Sequence, residues 1–221
     1  MTRALPRILA ALAETELRAT FFVEGVNAAM YPDALRSIAS AGHEVAYHGW
    51  QHERWSELGP TTERALLDRG MRCLAELDLT AWGFRPPGGE LTRTSMSTLG
   101  ELGFGYCSPA GKRVERRDGL VVLPFRWPLI DAFHYQPHFG ALRRRVIGSP
   151  DPLPPERLRS TVRRALDDLV RDGGHLALVF HPFLTEPEER FAVLRDVLDR
   201  LAADGRIHSA PCRDVAVALA G

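Results

Sequence analysis

The hydrophobic positions along the chain change between a helical period and short apolar runs. Leu5, Ile8 and Leu12 fall on one helical face, so the pattern predicts a helix at the start of the sequence. Residues 19–23 then form a short run of β-branched and aromatic side chains, which Gly25 closes. The same pattern predicts further helices near 33–41, 62–77, 94–102, 155–172 and 186–204 and at the C-terminal end, and further strands near 43–47, 83–85, 120–123 and 176–180.

The order of these elements predicts an α/β protein. Strands alternate with helices throughout, which indicates a parallel sheet or barrel. The run 176–180 is apolar at every position, as expected of a parallel strand that is covered on both faces. The 221 residues show no internal repeat and no low-complexity linker, so we predict a single domain over residues 1–221.

Composition and charge exclude several classes of protein. Apolar residues make up 45% of the chain and charged residues 25%, which excludes a disordered tail or a fibre. The 28 basic and 28 acidic residues leave a net charge of zero. Proteins that bind nucleic acids or membrane surfaces usually carry a basic excess, so we expect neither nucleic acid nor a membrane as a partner.

The cysteines and the N-terminal residues favour a reducing compartment. Cys73, Cys107 and Cys212 are odd in number and widely spaced, which gives neither a disulfide framework nor a zinc-binding pair. Apolar runs long enough for a membrane-spanning helix are absent from the sequence. Arg3 and Arg7 interrupt the apolar positions near the start, which makes this segment a poor signal-peptide core. The sequence therefore predicts a cytoplasmic protein.

Polar residues that could take part in catalysis or metal binding follow three of the predicted strands. His48 and His52 are four residues apart, and two imidazoles on one side of a helical turn can hold a metal ion. Arg85 precedes two prolines that restrict it, which suits a guanidinium that fixes a carboxylate or a substrate oxygen. His181 ends an apolar run and suits general acid or base chemistry near neutral pH.

Taken singly, each of these residues also fits an ordinary loop or capping role. Their common position at strand ends favours a shared active site over these ordinary roles, because the active site of a parallel α/β fold lies at the carboxyl ends of its strands. A barrel would bring all three groups to one mouth.

Together these segments resemble the polysaccharide deacetylase family, carbohydrate esterase family four. The resemblance covers about residues 4–215 and rests on Ala-Thr-Phe-Phe-Val at 19–23, Gly-His-Glu-Val at 42–45, the His48/His52 pair, Arg85-Pro-Pro-Gly, and Leu-Ala-Leu-Val-Phe-His-Pro at 176–182. Within the family, the histidine segment and Leu-Pro-Phe-Arg-Trp-Pro-Leu-Ile-Asp at 123–131 look most like the intracellular branch. That branch includes peptidoglycan-deacetylase-like proteins and cyclic-amide hydrolases of the allantoinase type.

The resemblance implies a distorted (β/α) barrel that hydrolyses a carbon–nitrogen amide bond. It implies that His48 and His52 bind a divalent metal ion, most simply zinc. Arg85 matches the arginine that orients the catalytic aspartate, and His181 matches the histidine that protonates the leaving amine. The predicted substrate is an N-acylated amino sugar, a polysaccharide or a related small amide. The alternatives are metal-independent hydrolysis of a cyclic amide and a degenerate domain that binds sugar without turnover.

The resemblance also indicates residues around the substrate. Asp131 belongs to a segment that matches a wall of the pocket, and we expect it to pair with His181 or with Arg85 as part of the catalytic group. Trp50, Pro87 and Trp127 are predicted to contact the substrate, although aromatic side chains serve core packing more often.

In the family, a first motif with an Asp-Asp pair supplies the general base and a third metal ligand. This motif is missing from the sequence, so the expected barrel is incomplete at its first strand. Either the sequence is a shortened form of a longer protein, or the protein is degenerate and a homo-oligomer covers its open strand edges. Asp131, His134 and His138 offer substitute ligands, with ordinary loop residues as the alternative. Without the general base, the sequence predicts weak or no activity.

Overall fold

The computed structural model describes residues 3–220, which fall into two compact units. The helical unit comprises the segment up to Leu17 together with Phe125–Ser209, and the sheet unit comprises Arg18–Pro124 together with the segment from Ala210 onward. The single domain expected from the sequence stays a prediction.

A parallel sheet forms the centre of the sheet unit. Its strands are β1 (Thr20–Val23), β2 (Glu44–Tyr47), β3 (Gly83–Phe84), β4 (Tyr106–Cys107), β5 (Glu115–Arg117) and β6 (Leu120–Val122). The strand order is β1-β2-β3-β4-β6-β5, and each neighbouring pair is parallel except the antiparallel hairpin of β5 with β6. This sheet confirms the α/β class. Within residues 3–220 it is open and does not close into a barrel.

Helices account for most of the remaining chain. They are α1 (Ala4–Glu14), α2 (Gly25–Met30), α3 (Pro32–Ser40), α4 (Pro60–Ala75), α5 (Ser95–Glu101), α6 (Asp131–Tyr135), α7 (Gly140–Ile147), α8 (Pro155–Asp172), α9 (Glu188–Ala203) and α10 (Cys212–Ala220). The long helices and four of the strands match the sequence prediction, whereas the short helices α2, α6 and α7 and the short strands β4 and β5 were not predicted. Across residues 3–220 we find no helix with both the length and the apolar character needed to span a membrane.

A buried glutamate fastens α10 to the sheet. Glu44 in β2 is 7% exposed and accepts hydrogen bonds from the Thr20 hydroxyl at 2.7 Å and the Tyr106 hydroxyl at 3.0 Å. Its carboxylate also accepts the backbone N–H of Arg213 at 2.9 Å, and the Thr20 hydroxyl accepts the N–H of Cys212 at 2.7 Å. Because the first N–H groups of a helix have no partner within the helix, these bonds satisfy the start of α10.

In the helical unit, α8 and α9 pack together through their apolar faces. Leu158, Val162 and Leu166 on α8 are buried, as are Val193 and Val197 on α9. Their spacing of three or four residues places each set on one side of its helix, so packing removes both apolar stripes from water.

A fully buried arginine holds the irregular segment before α8. The Arg143 guanidinium donates to the carbonyl oxygens of Phe133 at 2.7 Å, Gln136 at 2.8 Å and Pro150 at 2.8 Å. These bonds satisfy a charge that would otherwise be costly to bury, and they fix the end of α6 against α7.

The apolar run 176–180 departs from its prediction. Its side chains are half-buried, and within the described chain only Val179 forms a β-bridge, parallel to Ile130. The prediction of a strand covered on both faces is therefore wrong for residues 176–180. An apolar composition permits such a strand, but a regular strand also needs a neighbour that pairs along its whole length.

Candidate active site

A loop with two histidines follows β2 at its carboxyl end. This histidine loop comprises residues 48–53, and the Glu53 carboxylate accepts the backbone N–H groups of Trp50 at 3.0 Å and Gln51 at 2.8 Å. The backbone turns through left-handed conformations at Gly49, with φ of 74°, and at His52, with φ of 59°. Non-glycine residues seldom adopt that conformation, and the two Glu53 bonds fix the backbone that leads into His52.

Gly49 is required for a second reason. A Cβ atom built at this position would lie 2.8 Å from Cγ of Pro87. The histidine loop therefore packs directly against the short 3-10 turn Pro87–Gly89, which follows Arg85. Pro87 is itself buried and takes part in this packing, and its predicted contact with the substrate stays a prediction.

The two imidazoles of the histidine loop lie close together. Their ring centroids are 5.1 Å apart with an interplanar angle of 76°. Nδ1 of His48 lies 2.7 Å from the carbonyl oxygen of Arg85. A carbonyl oxygen only accepts, so Nδ1 carries the proton and the lone pair is on Nε2, which is the arrangement found in metal-binding histidines.

This pair fits two positions of a metal site. Among residues 3–220 no group of three His, Cys, Asp or Glu side chains is arranged to hold a metal ion. The substitute ligands Asp131, His134 and His138 therefore do not form such a group. His134 is instead buried, its Nε2 donates to the Pro128 carbonyl at 2.9 Å, and burial lowers its pKa.

Arg85 follows β3 and is held from two sides. Its Nη2 and Nε donate to the Ser108 hydroxyl at 3.0 and 3.3 Å, and its guanidinium lies 4.0 Å from the centre of the Phe22 ring. Arg85 is only 9% exposed, and burial lowers its pKa. Ser108 was missed in the sequence, although it follows the end of a short strand in the same way as His48 and Arg85 do.

A hydrogen-bonded pair of Asp131 and His181 forms in the helical unit. Asp131 is fully buried, and its Oδ1 lies 2.6 Å from Nδ1 of His181. The same carboxylate accepts the backbone N–H of His181 at 2.7 Å and that of Ala132 at 2.6 Å. The β-bridge between Ile130 and Val179 explains this meeting, because it places the two following chain segments side by side.

The pair fixes one tautomer of His181. An ionised carboxylate only accepts, so Nδ1 of His181 carries the proton that points at Asp131. The other ring nitrogen, Nε2, is then the atom that can exchange a proton with a reacting group. The His181 side chain is 32% exposed, which leaves the ring accessible from outside.

The aromatic residues predicted to contact substrate differ in exposure. Trp50 is 7% exposed, and the Arg69 guanidinium lies 3.6 Å from the centre of its ring, so this side chain packs inside the sheet unit and is not a free sugar-binding surface. The substrate contact predicted for Trp50 stays a prediction. Trp127 is half-exposed and touches Phe125 and Phe139, with ring centroids 5.2 and 5.3 Å away.

Comparisons with known proteins agree on one family. The sequence profile of the polysaccharide deacetylases matches residues 1–107. A crystal structure from Mycobacterium smegmatis that is assigned to the polysaccharide deacetylases is 32% identical and superposes with a TM-score of 0.85, over 97% of this chain and 76% of that one. The chain belongs to the polysaccharide deacetylase family.

More distant relatives agree with that assignment. The peptidoglycan-N-acetylglucosamine deacetylase of Bacillus cereus is 30% identical over 100 residues, which are 45% of this chain and 36% of that protein. The first three curated relatives are matched over only 21% to 36% of their own length. PuuE allantoinase shares the fold, with a TM-score of 0.79 and 19% identity over 98% of this chain and 72% of that one.

Proposed function

We propose that this protein is an amide hydrolase that removes the acetyl group from an N-acetylated amino sugar or polysaccharide. The observation that carries the proposal is the buried Asp131 carboxylate bonded to Nδ1 of the accessible His181. Family membership supports the reaction type, and the Bacillus cereus relative is a deacetylase of the same kind of group.

In this proposal His181 delivers the proton that releases the amine. Cleavage of an amide needs a proton on the departing nitrogen, and a histidine can supply it near neutral pH. Asp131 holds the ring in the tautomer with Nδ1–H and stabilises the positive charge of the protonated imidazole. The carboxylate also accepts the backbone N–H groups of His181 and Ala132, which fix its position against the ring.

We assign the metal-binding role to His48 and His52. Two neutral imidazoles are suitable ligands for a divalent cation such as zinc, and the Arg85 carbonyl fixes the tautomer of His48. A divalent cation bound there would polarise the amide carbonyl and lower the pKa of a water molecule. Arg85 and the half-exposed Trp127 are proposed to orient the reacting groups and to contact the sugar, respectively.

Metal binding provides the first test. We expect the purified protein to bind Zn²⁺ in a calorimetric titration and the double variant His48→Ala/His52→Ala to lose that binding. His138→Ala removes an exposed histidine of the helical unit and is expected to leave the titration unchanged. Unchanged zinc affinity in the double variant, or a loss caused by His138→Ala, would contradict the ligand assignment.

Acetate release provides the second test. We expect slow release of acetate from N-acetylglucosamine oligosaccharides, measured by an enzyme-coupled acetate assay, and a further loss when a chelator removes the metal. Ring opening of a cyclic amide at the same rate with and without chelator would instead support the metal-independent alternative. Binding of the oligosaccharide without any acetate release would support the non-catalytic alternative.

A further inference from the structure

His134 on α6 is buried close to Asp131 in the chain, and its ring is bonded to the turn that precedes Asp131. The side chain is 2% exposed. Its Nε2 lies 2.9 Å from the carbonyl oxygen of Pro128, which belongs to the 3-10 turn Trp127–Leu129. A carbonyl oxygen only accepts, so Nε2 carries the proton and donates it across the start of α6. The bond closes a loop over residues 128–134 with Asp131 at its centre.

Two backbone bonds to Val179 hold the same segment. The N–H of Val179 donates to the Leu129 carbonyl at 3.0 Å, and the N–H of Asp131 donates to the Val179 carbonyl at 3.1 Å. Of these three bonds around Asp131, only the one at Pro128 comes from a side chain. A substitution of His134 can therefore remove that bond and leave both backbone bonds possible.

The backbone that carries the His134 ring is fixed in turn. The N–H of Leu153 donates to the His134 carbonyl at 2.7 Å. The neighbouring carbonyl, that of Phe133, accepts from the Arg143 guanidinium at 2.7 Å. Because the backbone of α6 is held at this point, the His134 ring is a donor of fixed position for the turn before Asp131.

The second ring nitrogen of His134 makes no such contribution. Among the described residues, the buried Nδ1 has no hydrogen-bond partner, which is unfavourable for a buried polar atom. Burial is the main cause that lowers the pKa of His134, and Arg143 and Arg157 lower it further. The Pro128 bond and the Asp131 carboxylate act in the opposite direction without reversing the shift, so the ring is neutral near pH 7. An apolar side chain would avoid the cost at Nδ1, so what the histidine contributes here is the bond from Nε2.

We propose that His134 is a positioning residue for the reaction, because its bond to Pro128 fixes the place from which the Asp131 carboxylate holds the His181 ring. The carboxylate lies 2.6 Å from Nδ1 of His181, so a small shift of the segment would lengthen or break that bond. A displacement of about 1 Å at a catalytic group can cost about a hundredfold in rate. The inference rests on the proposed function for the reaction, but not for the geometry of the pair.

The test compares methionine and glutamine at position 134. Their side chains are similar in length and volume, but only glutamine can donate a hydrogen bond from the place of Nε2. We expect His134→Met to release acetate from N-acetylglucosamine oligosaccharides about tenfold to a hundredfold more slowly, and His134→Gln to stay within about threefold of the parent rate. In nitrogen NMR, the Nδ1 signal of His181 should be altered in His134→Met and unchanged in His134→Gln.

A matched control and the NMR signal keep the proposal open to refutation. His208 is an exposed histidine of the same unit, and His208→Met should change neither the rate nor the His181 signal. A parent-like rate and signal in His134→Met, or equal losses in both His134 variants, would overturn the positioning role. If His134→Met does not fold, an altered His181 signal in folded His134→Gln would overturn it, and an unaltered signal would support it. The signal does not depend on turnover, so a parent protein that releases no acetate would reject the proposed function while the signal still tests the positioning role.

Discussion

Asp131→Asn should lower the rate of amide hydrolysis by about two to four orders of magnitude while the protein stays folded. The introduced amide would keep one oxygen but would present an NH₂ group either to Nδ1 of His181 or to its backbone N–H, and both of these are donors in the present structure. With the NH₂ group facing Nδ1, the imidazole would place its proton on Nε2. Nε2 would then have no lone pair with which to take up the proton that it passes to the leaving amine. Acetate release measures the effect.

Two further measurements separate this role from a structural one. Nitrogen NMR of the imidazoles should show Nδ1 of His181 protonated in the parent protein and the signal altered in Asp131→Asn. The double variant Asp131→Asn/His181→Gln should be no slower than His181→Gln alone, because groups that act as a unit are not additive. Asp151→Asn changes an exposed carboxylate of the same unit and should leave the rate unchanged. Additive losses in the double variant would refute the pairing as the catalytic arrangement.

Two of the three positions could be placed at strand ends from the sequence. His48 and Arg85 directly follow β2 and β3, as the change from apolar to polar residues predicted. His181 follows an apolar run in the same way, but that run forms no regular strand. The sequence left the partner of Asp131 open between His181 and Arg85. The Ile130–Val179 bridge, a long-range pairing that no local pattern encodes, decides for His181.

Other features could not be read from the sequence because they depend on long-range packing. Ser108 is a lone serine without a motif, and its contact with Arg85 is apparent only in the structure. Trp50 lies on the histidine loop, yet the stacked guanidinium of Arg69 covers it. The apolar run 176–180 is the opposite case. Its composition predicted a strand, but among the described residues only Val179 pairs with a neighbouring segment.

The substitution with the largest expected effect on stability removes a buried carboxylate that bonds to the turn after the histidine loop. Glu63 on α4 is fully buried and accepts hydrogen bonds from the Thr92 and Thr94 hydroxyls, both at 2.7 Å. It also accepts from the Ser95 hydroxyl and from the indole N–H of Trp55 at 3.1 Å. Trp55 begins the short turn that follows the histidine loop, so this carboxylate connects that turn to the start of α5.

We expect Glu63→Leu to lower the free energy of unfolding by about 3 kcal/mol or more, because a buried indole N–H and three hydroxyls would lose their common acceptor. Urea unfolding followed by tryptophan fluorescence measures this change. Glu57→Ala is the matched control, since Glu57 is an exposed glutamate of the same turn and pairs with Arg54 at the surface. Its loss should stay below about 1 kcal/mol.

The loss of unfolding free energy in Glu63→Leu also shows whether the three hydroxyls and the Trp55 N–H depend on the carboxylate or can bond to one another. The Thr92 hydroxyl already lies 3.1 Å from the hydroxyls of Thr94 and Ser95, so these groups could satisfy one another in part. Among the described residues, the Trp55 N–H has no such alternative beyond Ser95 at 3.3 Å. A loss in Glu63→Leu as small as that of Glu57→Ala would therefore show that the hydroxyls repair the network. A large loss accompanied by weaker zinc binding would show that Glu63 supports the geometry of the histidine loop.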